Sequence, residues 1–272
     1  MRQVAVLVAM LAVASCPAMA QDQAGLDRVT RRDELPGWEA VGRVDIADGG
    51  YCTGALIAPD LVLTAGNCVL EEDGTPIAAE RLTFRAGLTD GTALSESVVV
   101  RTVVPEGYTG VGQLPPEEMR RDVALLQLAT PIPASLAVPL VVQSPGEGAD
   151  VSVVSYAEGL EETLSWQRVC SVLGKREGLV VLDCDVSFGS SGAPVLDRSM
   201  GRARIVSIIS SGSAEGGPKM AIGVELPDVV TELKAMLRDG KVLSDAQTAP
   251  PTMRKLGGDG QDRDIGARFV KP

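Results

Sequence analysis

From Val41 onward, short apolar runs alternate with turn residues. Val41–Val44, Gly54–Ile57, Leu61–Thr64, Leu82–Ala86, Ser97–Val104, Val123–Leu128 and Leu140–Val142 read as strands: short, rich in β-branched residues, and broken by Gly, Pro and Asp. Pro105-Glu106-Gly107 and the pair Pro115-Pro116 mark loops. The later half repeats the style with Val151–Tyr156, Arg168–Leu173, Leu179–Asp183, Ala193–Leu196, Arg204–Ser210 and Met220–Val224. One segment departs from it. In Asp228–Leu237, Val229, Val230, Leu233, Met236 and Leu237 fall on one face at helical spacing, and Gly240 supplies a stop. Many short strands and a single helix predict an all-β fold, with a boundary between its halves near Pro131–Pro139.

The ends of the chain read differently. Arg2, the apolar run Val4 to Val13 and Ala18-Met19-Ala20 have the form of an export signal over residues 1–20, cleaved before Gln21. The run is too short for a comfortable membrane span. Val13-Ala14-Ser15-Cys16 also resembles a bacterial lipobox, which would put a lipid on Cys16; Pro17 and the competing Ala-Met-Ala site favour signal peptidase. Residues 21–37 are a polar N-terminal extension. Residues 241–272, with Pro250-Pro251, Gly257-Gly258 and mixed charges, read as a flexible tail.

The 272 residues hold one domain plus these appendages, and 45% hydrophobic residues suffice for a sizeable core. Only 3% are aromatic, so that core must be built from Val, Leu, Ile and Ala. A net charge of −11 argues against nucleic acid or an anionic lipid surface as partner. Loss of the signal removes Cys16 and leaves Cys52, Cys68, Cys170 and Cys184. An even number in an exported chain suggests disulfides, with three pairings open.

The stretch that carries chemistry is Ser187-Phe188-Gly189-Ser190-Ser191-Gly192-Ala193-Pro194-Val195. Gly189 and Gly192 permit a tight turn that can aim consecutive N–H groups at one point beside a serine hydroxyl. A nucleophile with an oxyanion hole needs that arrangement. Upstream stand Tyr51-Cys52-Thr53-Gly54-Ala55-Leu56-Ile57-Ala58-Pro59, then Leu61-Val62-Leu63-Thr64-Ala65-Gly66-Asn67-Cys68, and later Arg121-Asp122-Val123-Ala124-Leu125-Leu126-Gln127-Leu128. In content and order these blocks resemble the trypsin-like (chymotrypsin-fold) serine peptidases, over about Trp38 to Gly240, and more closely the bacterial secreted members.

The resemblance implies two antiparallel β-barrels of about six strands each, over 38–135 and 136–226, packed together, with a C-terminal helix on the second barrel. It favours the pairs Cys52–Cys68 and Cys170–Cys184. It puts Ser191 at the nucleophile, Asp122 at the orienting aspartate and Asn67 at the histidine position. The oxyanion hole falls to the N–H groups of Gly189 and Ser191. Ser210, in Ile209-Ser210-Ser211-Gly212, falls where substrate backbone pairs, and Asp185 matches by count the position that selects Lys or Arg in trypsin. An acidic turn residue is the competing reading of Asp185. The implied ligand is a peptide or protein, and the expected state a monomer. No Ile-Val-Gly-Gly segment is present and Ser190 stands before the nucleophile, so activation by a new N-terminal amine is not expected.

One residue breaks the pattern. The family's block ends Ala-Ala-His-Cys; here Ala65-Gly66-Asn67-Cys68 stands in its place, and the chain has no histidine at all. An amide has no useful basicity near neutral pH, so it can neither take the serine proton nor return it. Its carbonyl could accept from Ser191 and its NH₂ could donate to Asp122, keeping the network satisfied. Three readings follow: a pseudoprotease that binds peptide or protein in the retained cleft; a serine endopeptidase with residual or substrate-assisted activity through Ser191; or an envelope protein whose cleft is idle. Without histidine and with cysteines paired, no zinc site is expected, and no phosphate-binding glycine motif implies a nucleotide cofactor. Glu71-Glu72-Asp73-Gly74 reads as a solvated acidic turn, with a calcium loop as the alternative.

Overall fold

The apolar runs close into two rings. A computed structural model of the chain describes residues 27–28, 37–212 and 220–246. In the first barrel, β1 (Val41–Ile46) pairs with β2 (Tyr51–Ala58), and β2 with β3 (Leu61–Thr64). The ring continues through β6 (Ala124–Leu128), β5 (Ser95–Val103) and β4 (Leu82–Ala86), which returns to β1. In the second, β7 (Asp150–Ser155), β8 (Ser165–Arg176) and β9 (Leu179–Leu182) are followed around the ring by β12 (Ala221–Val224), β11 (Arg204–Gly212) and β10 (Pro194–Asp197). The pairing of β10 with β7 closes it. All twelve strands are antiparallel to their ring neighbours. The two closed six-stranded barrels make the fold chymotrypsin-like.

The scarcity of aromatic residues is met as the composition requires. Leu56, Leu63, Leu82, Leu125 and Leu126 are fully buried around Phe84 in the first barrel, and Val153, Val180, Leu182 and Val195 fill the second. Tyr156, Leu164, Leu196 and Ile208 join the first barrel's core and seal the two together. β8 begins at Ser165, before the expected Arg168, because its first inward residues, Ser165 and Gln167, are buried but polar and leave no apolar alternation to read.

Two expectations about the C-terminus are corrected. The helix α2 (Pro227–Arg238; α1 is the single turn Pro116–Met119) packs against β5 and β6 of the first barrel, not on the second. Its buried residues Val230, Leu233 and Leu237 belong to the first barrel's core cluster. Periodicity identifies an apolar face but not the surface that receives it. The chain then stays on that barrel beyond the point where a tail was expected to start. Ser244–Asp245 pairs with Arg101–Thr102 of β5, Leu243 N–H donates to Thr102 O at 2.8 Å, and Ser244 Oγ accepts from Ala79 N–H at 2.9 Å. A two-residue polar strand has no periodic signal. The signal over 1–20 with Cys16, most of the 21–37 extension and the tail from 247 lie outside the described residues. Among the described residues no helix is long and apolar enough to cross a membrane.

The acidic turn is engaged internally. Glu71 pairs with Arg81, and the Thr75 hydroxyl, together with Thr75 N–H donating to Asp73 Oδ1 at 2.8 Å, holds the Asp73 carboxyl below its ordinary value.

Because Leu233 is fully buried where α2 crosses onto the first barrel, Leu233→Ala is expected to cost about 2–5 kcal/mol. Urea denaturation followed by tryptophan fluorescence measures it; a cost under about 0.5 kcal/mol, the range of ordinary surface substitutions, would refute this docking.

Candidate active site

Three segments converge between the barrels. After β3 the chain enters a 3-10 turn, Gly66–Val69, which carries Asn67. The disulfide Cys52–Cys68 ties that turn to β2, with Cα atoms 6.1 Å apart. Asp122 directly precedes Val123 and β6, and Ser191 lies in the turn that feeds β10. The second disulfide, Cys170–Cys184, has Cα atoms 5.2 Å apart. Both pairs are those the resemblance favoured. Cys170, Cys184 and Asp183 are also the one grouping of metal-ligating side chains among the described residues, and the bridge consumes both sulfurs.

Asp122 is the electrostatic centre of this region. It is 1% exposed and forms no ion pair with any described residue. Four donors solvate it instead. Tyr108 Oη donates to Oδ1 at 2.6 Å, Asn67 backbone N–H donates to Oδ1 at 2.8 Å, Ser210 Oγ donates to Oδ2, and Gly66 N–H adds a fourth bond. Burial pushes the carboxyl above its ordinary value against the pull of these donors. Burial, and then the neighbouring Asp122 charge, hold the Tyr108 proton far more firmly than in a free phenol, so Tyr108 remains a donor. The approach depends on Gly66: a Cβ there would fall 2.6 Å from Tyr108 Cε1.

The expected role of the Asn67 side chain is corrected. Its Nδ2 lies 3.5 Å from Ser191 Oγ, so the amide turns a donor, not an acceptor, toward the serine. The bond to Asp122 comes from its backbone, and Ser210 holds the other carboxylate oxygen. A side chain this short cannot span the serine and the aspartate together.

The Ser187–Gly192 turn is set by which carbonyls are pinned. Glu158 N–H donates to Phe188 O at 2.9 Å and Ala193 N–H donates to Ser190 O at 2.9 Å. In a trans peptide the N–H points opposite to the C=O, so the N–H groups of Gly189 and Ser191 face away from those contacts. Neither bonds to another described residue. Gly189 (φ +83°) and Gly192 (φ +77°) are required here: a Cβ on Gly189 would lie 2.3 Å from Tyr156 O, and one on Gly192 2.1 Å from Thr64 Oγ1. Phe188, 64% exposed, stands edge-on to Tyr51 beside the turn. Burial raises the Tyr51 hydroxyl to about 12.

A cavity of about 450 Å³ opens beside Asn67 and Asp122, lined by Tyr108, Leu114, Met119, Ser210 and Gly212 among others. Asn67, Asp122, Ser210 and Gly212 therefore share one cavity; Ser191 adjoins it through Asn67, and Gly189 stands in the same turn as Ser191. Asp185 does not line this cavity; it is half-buried, and its N–H donates to Gln167 Oε1 at 2.7 Å. The side chain that meets Gly212 is Val186, whose Cγ2 would lie 2.4 Å from a Cβ at that glycine. Sequence reasoning missed Tyr108, which stands in a Pro/Gly loop with no marker beyond being a rare aromatic, and the hydroxyl of Thr53, hidden inside the Cys52–Pro59 block.

The raised Asp122 carboxyl fixes a pH signature. The unfolded chain releases this proton in the ordinary carboxylate range and the folded chain at higher pH, so the Asp122 contribution to stability falls as pH rises through that window. Tyr108→Phe removes a donor that matters most to the ionised form. Its cost is expected to grow from about 1 kcal/mol at acid pH to about 1.5–3 kcal/mol above the window. Urea midpoints between pH 4 and 8 test this; a pH-independent cost would show that Asp122 does not ionise there.

The profile of the trypsin-like peptidase domain matches residues 52–204, more than half of the chain. The chain is 36% identical over 78 residues to Modular serine protease of Drosophila melanogaster, covering 29% of this chain and 10% of that protein. It thus spans about a tenth of that relative's length. It is 27% identical over 190 residues to Trypsin of Sarcophaga bullata, covering 60% of this chain and 69% of that one. Among solved structures, a Glu endopeptidase in complex with MPD superposes with a TM-score of 0.63 at 20% identity, covering 79% of this chain and 97% of that chain. Protease Anisep from Arthrobacter nicotinovorans gives 0.58 at 18%, covering 72% and 93%. The structural likenesses speak to fold alone; with the profile across both barrels, the chain belongs to the trypsin-like peptidase domain family.

Proposed function

We propose that this chain is an exported, monomeric, catalytically impaired member of the family, of the bacterial secreted type, that holds a peptide or protein in its cleft without turning it over efficiently. Ser191 is the nucleophile position, Asp122 the orienting aspartate, Asn67 the residue at the histidine position, and the N–H groups of Gly189 and Ser191 the oxyanion hole. Two disulfides fit an oxidising, exported location.

One observation carries the reading: the group facing Ser191 Oγ is the Asn67 amide nitrogen, at 3.5 Å, in a chain with no histidine. A serine hydroxyl is a weak nucleophile until a base removes its proton, and an amide N–H offers a second donor where a base is needed. In subtilisin, loss of the corresponding histidine lowers turnover about 10⁶-fold. The unengaged N–H pair, the buried Asp122 and the adjoining cavity support a cleft still shaped for an extended chain. The same retained parts favour the second reading, a serine endopeptidase with residual activity through Ser191.

A fluorescent phosphonate that reacts with activated serines separates the two. Wild type is expected to stay unlabelled, Asn67→His to label, and Asn67→His with Ser191→Ala to lose the label. Labelling of wild type through Ser191 would instead establish the residual endopeptidase and remove the impaired reading.

A further inference from the structure

We infer that the Thr53 side chain is the positioning group that holds the Ser187–Gly192 turn in its ligand-ready form, an inference that rests on the oxyanion reading of Gly189 and Ser191. Thr53 lies on β2, in the first barrel, whereas the turn belongs to the second. It is fully buried, and each of its polar atoms is engaged. Its N–H donates to Ser191 O at 2.9 Å, its carbonyl accepts from Thr64 Oγ1 at 2.7 Å, and its Oγ1 accepts from Tyr156 N–H at 3.0 Å and donates to Gly189 O at 2.8 Å. A hydroxyl has one proton. Since the Tyr156 N–H fills its acceptor side, that proton is committed to Gly189. Branching at Cβ restricts the rotamer and keeps it there.

Four peptide planes define the turn from Phe188 to Gly192. Two are set by Glu158 and Ala193 through the carbonyls of Phe188 and Ser190; the Ser191–Gly192 plane is held from both sides, by Thr53 N–H on Ser191 O and by Gly192 N–H on Ile209 O at 2.7 Å, and the Gly189–Ser190 plane takes the Thr53 hydroxyl on its carbonyl. Release of the Gly189 carbonyl would free the plane beside the Gly189 N–H and let it turn away from the cleft. No charged group shares this task. Below the turn, the buried Ser190 hydroxyl meets Ser155 Oγ at 3.4 Å, and Ser155 Oγ meets Ser165 Oγ at 3.3 Å. The turn is therefore held by neutral hydroxyls from both barrels, with the Thr53 hydroxyl as the link between them.

The test has one arm that needs no catalysis. Ser190 N–H bonds to Ser187 O at 3.1 Å only while the Gly189–Ser190 plane is fixed. In Thr53→Val, hydrogen exchange at Ser190 is expected to speed up about tenfold, the size of one lost hydrogen bond, relative to the Leu56 amide, and Thr53→Ser is expected to restore protection. In the Asn67→His background, Thr53→Val should lower the phosphonate labelling rate about tenfold, with Thr53→Ser within about threefold of its parent. Unchanged Ser190 exchange, or labelling of Thr53→Val within threefold, overturns the inference while the cleft reading stands. If Asn67→His does not label at all, the cleft reading fails and exchange alone decides Thr53. Should Thr53→Val not fold, the wild-type Thr53 hydroxyl proton decides: a slowly exchanging resonance with a coupling across the hydrogen bond to the Gly189 carbonyl carbon supports the inference, and its absence overturns it.

Discussion

A buried carboxylate with no cation beside it among the described residues is the constraint on which the centre of this protein depends. Asp122 cannot be left bare between two barrels, so the chain must bring it donors, and these come from three places distant in sequence. The 3-10 turn supplies backbone N–H groups, the 105–122 loop supplies Tyr108, and β11 supplies Ser210 across the barrel junction. Each of these segments is held where it is partly because Asp122 needs it. The carboxylate thereby organises the meeting of the barrels, a task that requires no base beside it.

Fold and chemistry separate cleanly in this chain. Barrel closure rests on Val, Leu and Ile at inward positions and on a few glycines at close approaches, none of which involves position 67. Proton transfer rests on one basic nitrogen. Packing, both disulfides and the turn geometry are in place around Asn67.

Much of the cleft was legible from residues alone. The Gly189–Gly192 spacing announced a tight turn, and the order of the three blocks brought Asn67, Asp122 and Ser191 into one region. The partners of those residues were not legible. Tyr108 and Ser210 reach Asp122 through folded distance; nothing in its local sequence distinguishes Tyr108 from any loop tyrosine, and the resemblance singled out Ser210 for substrate pairing but not as a donor to Asp122. The direction of the Asn67 amide was not legible either, because both Asp122 oxygens are served by groups the sequence does not place beside them: Tyr108 and the Asn67 N–H on one, Ser210 on the other. Counting residues located Asp185, and the structure adds that its neighbour Val186 is the side chain packed against Gly212.

By itself the sequence determined where the barrel strands and the helix lie and that no histidine is present, because alternation, turn chemistry and composition are local or global properties of the chain; closure into two barrels was legible only through the family resemblance. The tertiary structure alone decided that α2 and Ser244–Asp245 return to the first barrel, that Tyr108 and Ser210 solvate Asp122, and that Thr53 on one barrel fixes the turn on the other. These are contacts between residues far apart in the chain. They follow from which surfaces meet once the barrels close, and no periodicity records that.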